Sequence, residues 1–112
     1  MATEKKAMWV VFKMDKKMST AEWRERFAGG YKIIFDLPGL FFKSWWIDQE
    51  KNEWGALYIF DSEEDLQAYI KSDLWVNKIP AKYNCKPQVT ILDVGPVIAK
   101  KTFVKPENSW MS

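Results

Sequence analysis

Lys43 and Tyr58 are the polar side chains best placed to do chemistry in this chain, because each is set among aromatic residues on adjoining segments. Both lie in LFFKSWWIDQEKNEWGALYIF, residues 40–60, where three tryptophans, three phenylalanines and a tyrosine flank a charged break from Asp48 to Glu53. If Asp48 pairs with Glu53 across a four-residue loop, Lys43 falls opposite Tyr58 and Trp45 opposite Ala56. Burial disfavours the charged form of a lysine, and a tyrosine hydroxyl beside it can donate or relay a proton. Trp45 and Trp54 then share a face and could sandwich a flat ligand, in the kind of aromatic pocket with a few convergent polar groups that holds small molecules. The plainer reading is that Lys43 extends its amine to solvent along the strand while Tyr58 packs with its hydroxyl at an edge.

Trp23, Phe27, Tyr31, Tyr69 and Trp75 are further candidates for contact with a bound aromatic, although such residues, like Trp9, are more often core. Trp23 and Tyr31 stand beside Gly29-Gly30, where a helix that yields could admit a ligand. Asp36, Asp48 and Glu53 read as turn and cap residues. Asp93, in the last strand, would be a base if it faced the cavity. Cys85 has Lys82 and Lys86 near it in sequence but no positioned base, so it is a poor nucleophile. The chain has no histidine, which excludes histidine-ligated zinc, a histidine haem ligand and Ser-His or Cys-His catalysis. Acid–base work must fall to Asp, Glu, Lys, Tyr or Cys, and no metal site is expected.

The elements that must position these residues follow from the apolar pattern. Residues 7–14 (AMWVVFKM) read as a first strand. Ser19-Thr20-Ala21-Glu22 is a capping box that opens a helix over about 20–35, carrying Trp23, Phe27, Gly30 and Ile34 at helical spacing. Asp36-Leu37-Pro38-Gly39 makes a turn. Strands 40–48 and 53–61 form a hairpin, and Asp61-Ser62-Glu63-Glu64 caps a second helix whose inner face is Leu66, Tyr69 and Ile70. Leu74, Trp75 and Ile79 suggest a short further helical turn stopped by Pro80, and a last strand spans roughly 86–94. The order βαββαβ is the ferredoxin-like α+β arrangement, a four-stranded antiparallel sheet with two helices on one face.

At 112 residues the chain is expected to be one domain, with a core over about 7–94 and a lysine-rich tail over about 95–112 that ends near Trp110. A net charge of +2, with lysines scattered rather than striped, gives no reason to expect nucleic acid. No apolar run is long enough for a membrane span, no signal-type segment precedes the first strand, and the lone Cys85 fits a reducing compartment, so a cytoplasmic location is expected.

The hairpin is apolar on both faces. One carries Phe41, Lys43, Trp45, Ile47, Trp54, Tyr58 and Phe60; the other carries Leu40, Phe42, Ser44, Trp46, Leu57 and Ile59. Aromatics bury ~150–250 Å² each, whereas the largest exposed apolar patch of a typical monomer is ~300–600 Å². Two helices cover only one face, so a second copy of the chain is expected on the other, giving a homodimer packed sheet on sheet. The alternative is a monomer whose C-terminal tail folds over that face.

The stretch Pro38-Gly39-Leu40-Phe41-Phe42-Lys43-Ser44-Trp45, then Glu53-Trp54-Gly55-Ala56-Leu57-Tyr58-Ile59-Phe60 and Ala68-Tyr69, resembles the YdhR-like mono-oxygenases. That family belongs to the dimeric α/β-barrel superfamily, with the antibiotic-biosynthesis mono-oxygenases. The resemblance implies a homodimer, a pocket between sheet and helices, and oxygenation of a phenol, anthrone or quinol without metal, flavin or other cofactor. Tyr58, Lys43 and Trp45 fall on matching positions. Trp54 and Trp46 depart from the pattern and would narrow or reshape the pocket. Proton-transfer chemistry on the same scaffold, as in an isomerase or cyclase, and simple binding of an aromatic ligand are the other expectations.

Overall fold

The computed structural model describes residues 4–27, 30–98 and 100, and for 30–32 the backbone alone. Its elements run β1 (Lys6–Lys13), α1 (Thr20–Phe27), α2 (Gly30–Phe35), β2 (Leu40–Asp48), β3 (Glu53–Phe60), α3 (Glu63–Ile70), a π-helix (Leu74–Lys78), α4 (Ile79–Tyr83) and β4 (Gln88–Asp93). The sheet is antiparallel in the order β2-β3-β1-β4, the ferredoxin-like arrangement expected from the element order.

Local chemistry explains where the elements begin. The Ser19 hydroxyl accepts from the Glu22 amide at 3.2 Å while the Glu22 carboxylate accepts from the Ser19 amide at 3.1 Å, so the capping box forms in both directions. Ser62 caps α3 by accepting from the Asp65 amide at 3.1 Å, with Glu63, Glu64 and Asp65 in the first turn where the dipole favours acid. The helix expected over 20–35 is described as two pieces around 28–29, which lie outside the described residues.

Pro80 does not stop the helical segment, as its residue type suggested; it lies in the first turn of α4. The π-helix hands over to α4 there, and an early helical position has no need of the N–H that proline lacks. The chain leaves α4 at Asn84, which adopts the left-handed conformation at φ 50°. Lys82 and Tyr83 are therefore helical.

The hairpin register is the expected one: Asp48 pairs with Glu53, Lys43 with Tyr58 and Trp45 with Ala56. A bulge between Leu40 and Phe42 alters its far end. Leu40 pairs with Phe60 and packs against the core, whereas Phe41 is left unpaired and 50% exposed. Their expected faces are thus exchanged. Asn52 closes the other end in the left-handed conformation, its side-chain amide donating to the carbonyls of Met14 and Lys16.

One face of the sheet carries Met8, Val10, Phe12, Trp54, Ala56, Tyr58 and Phe60, buried against Trp23 and Phe27 of α1, Leu66 and Tyr69 of α3, and Trp75. Each large side chain buried there contributes about 1.5–3 kcal/mol of transfer free energy. The other face carries Trp9 and Trp46, stacked at 5.2 Å and 8°, with half-buried Phe42 and Leu57 and exposed Leu92. No described element covers it. The tail is described only at 95–98 and 100, and Trp110 lies outside the described residues.

Candidate active site

A cavity of about 150 Å³ opens between the sheet and the helical layer. Lys43 and Trp45 of β2, Trp54, Ala56 and Tyr58 of β3, and Val10 and Phe12 of β1 form its floor. Phe27 of α1, Ile33 and Ile34 of α2, Leu74 of the π-helix and Ile79 of α4 form its roof, with Arg26, Lys78, Lys82 and Tyr83 also in the wall. Among the described residues the wall holds no carboxylate.

Three polar groups converge at the floor. The Lys43 amine donates to the Tyr58 hydroxyl at 2.8 Å, and the hydroxyls of Tyr58 and Tyr69 share a hydrogen at 3.2 Å. The first contact follows from the hairpin register, which sets Lys43 and Tyr58 side by side. The second requires α3 to lie across β3, delivering Tyr69 from the helix layer.

Burial sets the protonation of these groups. Lys43 lacks a carboxylate partner among the described residues, and burial pushes its amine well below the usual lysine range. By area the side chain is only half-buried, because the cavity mouth leaves part of it open to solvent. Its nitrogen is nevertheless ringed by protein, and that decides the direction. The ring faces of Trp45 and Tyr58 each lie 4.2 Å from the nitrogen, which favours the ammonium form. Such contacts supply ~0.5–2 kcal/mol, less than the several kcal/mol of taking an unpaired ion out of water. Desolvation outweighs them, and the net direction is downward. Burial, with the charge and hydrogen bond of Tyr69, raises the Tyr58 phenol well above its ordinary value. Tyr69 is pushed up to about 12, again by burial, against a lowering hydrogen bond from Tyr58. The site therefore presents an amine whose pKa burial lowers beside two phenols whose pKa burial raises: a candidate base and two hydrogen-bond donors.

Lys43, Tyr58, Trp45, Trp54 and Phe27 of the sequence candidates line the cavity. Tyr69 and Trp75 stand behind Tyr58, at ring separations of 5.4 and 6.3 Å, and Trp23 stands behind Trp54 at 6.1 Å. The Tyr31 side chain lies outside the described residues. Phe12 stacks on Trp54 at 4.2 Å and 5°, while the Lys43 amine occupies the face of Trp45. Asp93 is exposed and paired with Lys6 on a strand that lines no part of the cavity, so it is not a base for this site. Its carboxyl is held below the usual range by the hydrogen bond and charge of Lys6. Cys85 donates to the Lys13 carbonyl at 3.0 Å, also outside the cavity wall.

Reading Pro80 as a stop concealed Lys82 and Tyr83. Arg26, one turn from Trp23 and adjacent to Phe27, was visible in the helical pattern but not its position over the cavity. The guanidinium lies 5.5 Å from the Tyr83 ring, joining α1 to α4 at the mouth.

Solved structures share this four-stranded ferredoxin-like fold. The chain is similar to SnoaB from Streptomyces nogalater, a cofactor-independent oxygenase, at 9% identity and a TM-score of 0.64, covering 88% of this chain and 100% of that one. A protein from Caulobacter crescentus, described as a "putative antibiotic biosynthesis monooxygenase", is 16% identical with a TM-score of 0.64, over 85% of this chain and 93% of that one. The ActVA-Orf6 monooxygenase of Streptomyces coelicolor, solved with nanaomycin D, is 14% identical with a TM-score of 0.55, over 89% and 95%. No functionally curated protein matches the sequence. Residues 8–91 match the model of the family described as "Putative mono-oxygenase ydhR", and the chain belongs to that family.

Proposed function

We propose that this protein is a cofactor-independent mono-oxygenase acting on a small, flat phenol, quinol or anthrone-like molecule in the cavity. The observation that carries the reading is the Lys43–Tyr58 contact at 2.8 Å inside an aromatic cavity without acid. The Lys43 amine, its pKa lowered by burial, takes a proton from the substrate hydroxyl or from an acidic C–H. Tyr58, kept protonated and backed by Tyr69, donates to the oxyanion that results. The electron-rich carbanion then reduces molecular oxygen directly. At an activated CH₂, the carbon loses two hydrogens and gains one oxygen atom as a carbonyl, and the second oxygen leaves as water. The substrate supplies every electron, so the protein need only bind, deprotonate and stabilise charge.

The volume bears on substrate size. A cavity of ~150 Å³ lined by apolar side chains accommodates benzene, so one ring fits and a tricyclic substrate requires the helical roof to yield. Trp54 lines the cavity, and its buried indole N–H has no hydrogen-bond partner among the described residues.

Trp45, Trp54 and Phe27 are assigned to substrate contact, and Trp23, Tyr69 and Trp75 to the layer that holds them. The apolar open face supports a homodimer with a second copy packed on it. The chain is assigned one domain. No helix among the described residues is long and apolar enough to cross a membrane.

Oxygen uptake by the purified protein, metal-chelated and flavin-free, with hydroquinones, naphthols and anthrones tests the reading. Uptake above the uncatalysed rate, lost in Lys43→Met and Tyr58→Phe, is expected. Substrate conversion without oxygen consumption would instead assign the amine–phenol pair to isomerase or cyclase chemistry.

A further inference from the structure

Lys43 has a capacity that proton transfer does not use. A lysine amine that is neutral and open to a ligand cavity is a nucleophile toward carbonyl carbon. We infer that Lys43 forms an imine with a single-ring aromatic aldehyde or ketone bound in the cavity, a carbonyl-capturing activity independent of oxygen. It uses the same cavity as the oxygenase reading but none of its oxygen chemistry.

Four observations converge on this. The Lys43 side chain lines the cavity, so a ligand seated there meets it. The other basic side chains of the wall are Arg26 on α1, Lys78 on the π-helix and Lys82 on α4, and none of its described residues is acidic. The nearby carboxylates lie outside the wall. Asp73 pairs with Lys78 at 3.8 Å, and Glu22 and Glu25 line a separate open groove with Arg26 and Lys82. Desolvation favours the unprotonated, reactive form of a lysine, and burial lowers this one. Finally, the Tyr58 hydroxyl, 2.8 Å from the nitrogen and linked to Tyr69, supplies the acid that imine formation needs.

The step balances without an oxidant or reductant. The amine lone pair forms a C–N bond to the carbonyl carbon as the C–O π pair moves to oxygen. That oxygen takes a proton from Tyr58, which recovers one from the nitrogen. Loss of the hydroxyl with a second proton gives the C=N bond and one water. The ~150 Å³ volume selects a flat single ring over a larger carbonyl compound.

Reductive trapping under nitrogen tests the inference with the full wild-type chain. Benzaldehyde and cyanoborohydride are added at about pH 6, where ordinary lysines with a pKa near 10.4 are almost wholly protonated. Peptide mass mapping is then expected to find one benzyl group, on Lys43, at least tenfold above any other lysine. Phenol, which fills the cavity but has no carbonyl, is expected to protect Lys43. Tyr58→Phe is expected to slow labelling of Lys43 about tenfold while leaving surface lysines unchanged. Labelling spread over surface lysines, or absent from Lys43 in the wild-type protein, would overturn the assignment whatever the variants do. Oxygen plays no part in this reaction, so selective trapping without oxygen uptake would sink the oxygenase reading and keep this one. Uptake without trapping would do the reverse.

Discussion

The two faces of the sheet are built from the same residue types and end in different states. On the helix side, aromatics are packed to completion around a small gap, and the polar groups Lys43, Tyr58 and Tyr69 are gathered at its floor. On the open side, Trp9 and Trp46 stack on each other over a surface that no described element covers. Apolar composition alone therefore does not distinguish a ligand cavity from a docking surface. The difference is one of polar content: the covered face holds an amine and two phenols linked by hydrogen bonds, whereas the polar neighbours of the tryptophan pair on the open face are the hydroxyl residues Thr90, paired with Trp9, and Ser44, two residues from Trp46. Burying an amine without a carboxylate costs stability, and a fold retains such a group where it does chemistry.

The largest separation of the two faces is expected from Lys43→Met. It should lower turnover by about 10²- to 10⁴-fold, as loss of a general base does, and leave thermal stability equal or higher because an unpaired amine no longer has to be desolvated. Steady-state oxygen uptake and a melting curve on one sample check both halves.

Gly55→Ala should act on both faces at once. A Cβ at Gly55 would stand 1.8 Å from the Val10 carbonyl oxygen and 2.8 Å from the Trp46 ring, so backbone as well as side chain must shift. A loss of about 3 kcal/mol or more is expected from urea denaturation.

Trp9→Glu addresses the open face alone. If a second copy covers it, the charge should weaken association by at least about 2 kcal/mol, roughly thirtyfold, and sedimentation should find monomers at concentrations where the wild type dimerises. Naphthol quenching of tryptophan fluorescence should keep its midpoint, since the cavity lies on the other side. A monomeric wild-type protein would end the dimer reading.

Stability should depend on pH through the covered face. The folded state lowers the Lys43 pKa, so between that depressed value and about 10.4 the unfolded chain binds one more proton and stability rises with pH, by up to about 1.4 kcal/mol per unit. The sign reverses above about pH 10. There the unfolded tyrosines ionise while Tyr58 and Tyr69 stay protonated, and stability falls until Tyr69 titrates at about 12. Lys43→Met should remove the rising limb and keep the falling one, which urea titrations at several pH values would read.

The smallest effect is expected from Asp93→Asn. The carboxylate is exposed and paired only with Lys6, so turnover should stay within about twofold of wild type. A large loss would mean that the last strand reaches the chemistry after all.

The sequence by itself determined the element order and both helix caps, and the hairpin register assumed from a four-residue loop, with the adjacency of Lys43 and Tyr58, is the one the structure has. These are local facts. Caps join residues three apart, and a four-residue loop leaves the paired strands one register that keeps their faces consistent. Only the tertiary structure decided which hairpin face received the helices, that Tyr69 would meet the Tyr58 hydroxyl, and that Arg26 and Tyr83 would stand together at the mouth. It also exchanged Leu40 and Phe41 through a bulge and carried the chain through Pro80 into α4. Both faces offered comparable apolar area, so hydrophobic pattern had no basis for preferring one. The choice fell to the packing of elements far apart in the chain, whose contacts no local spacing records.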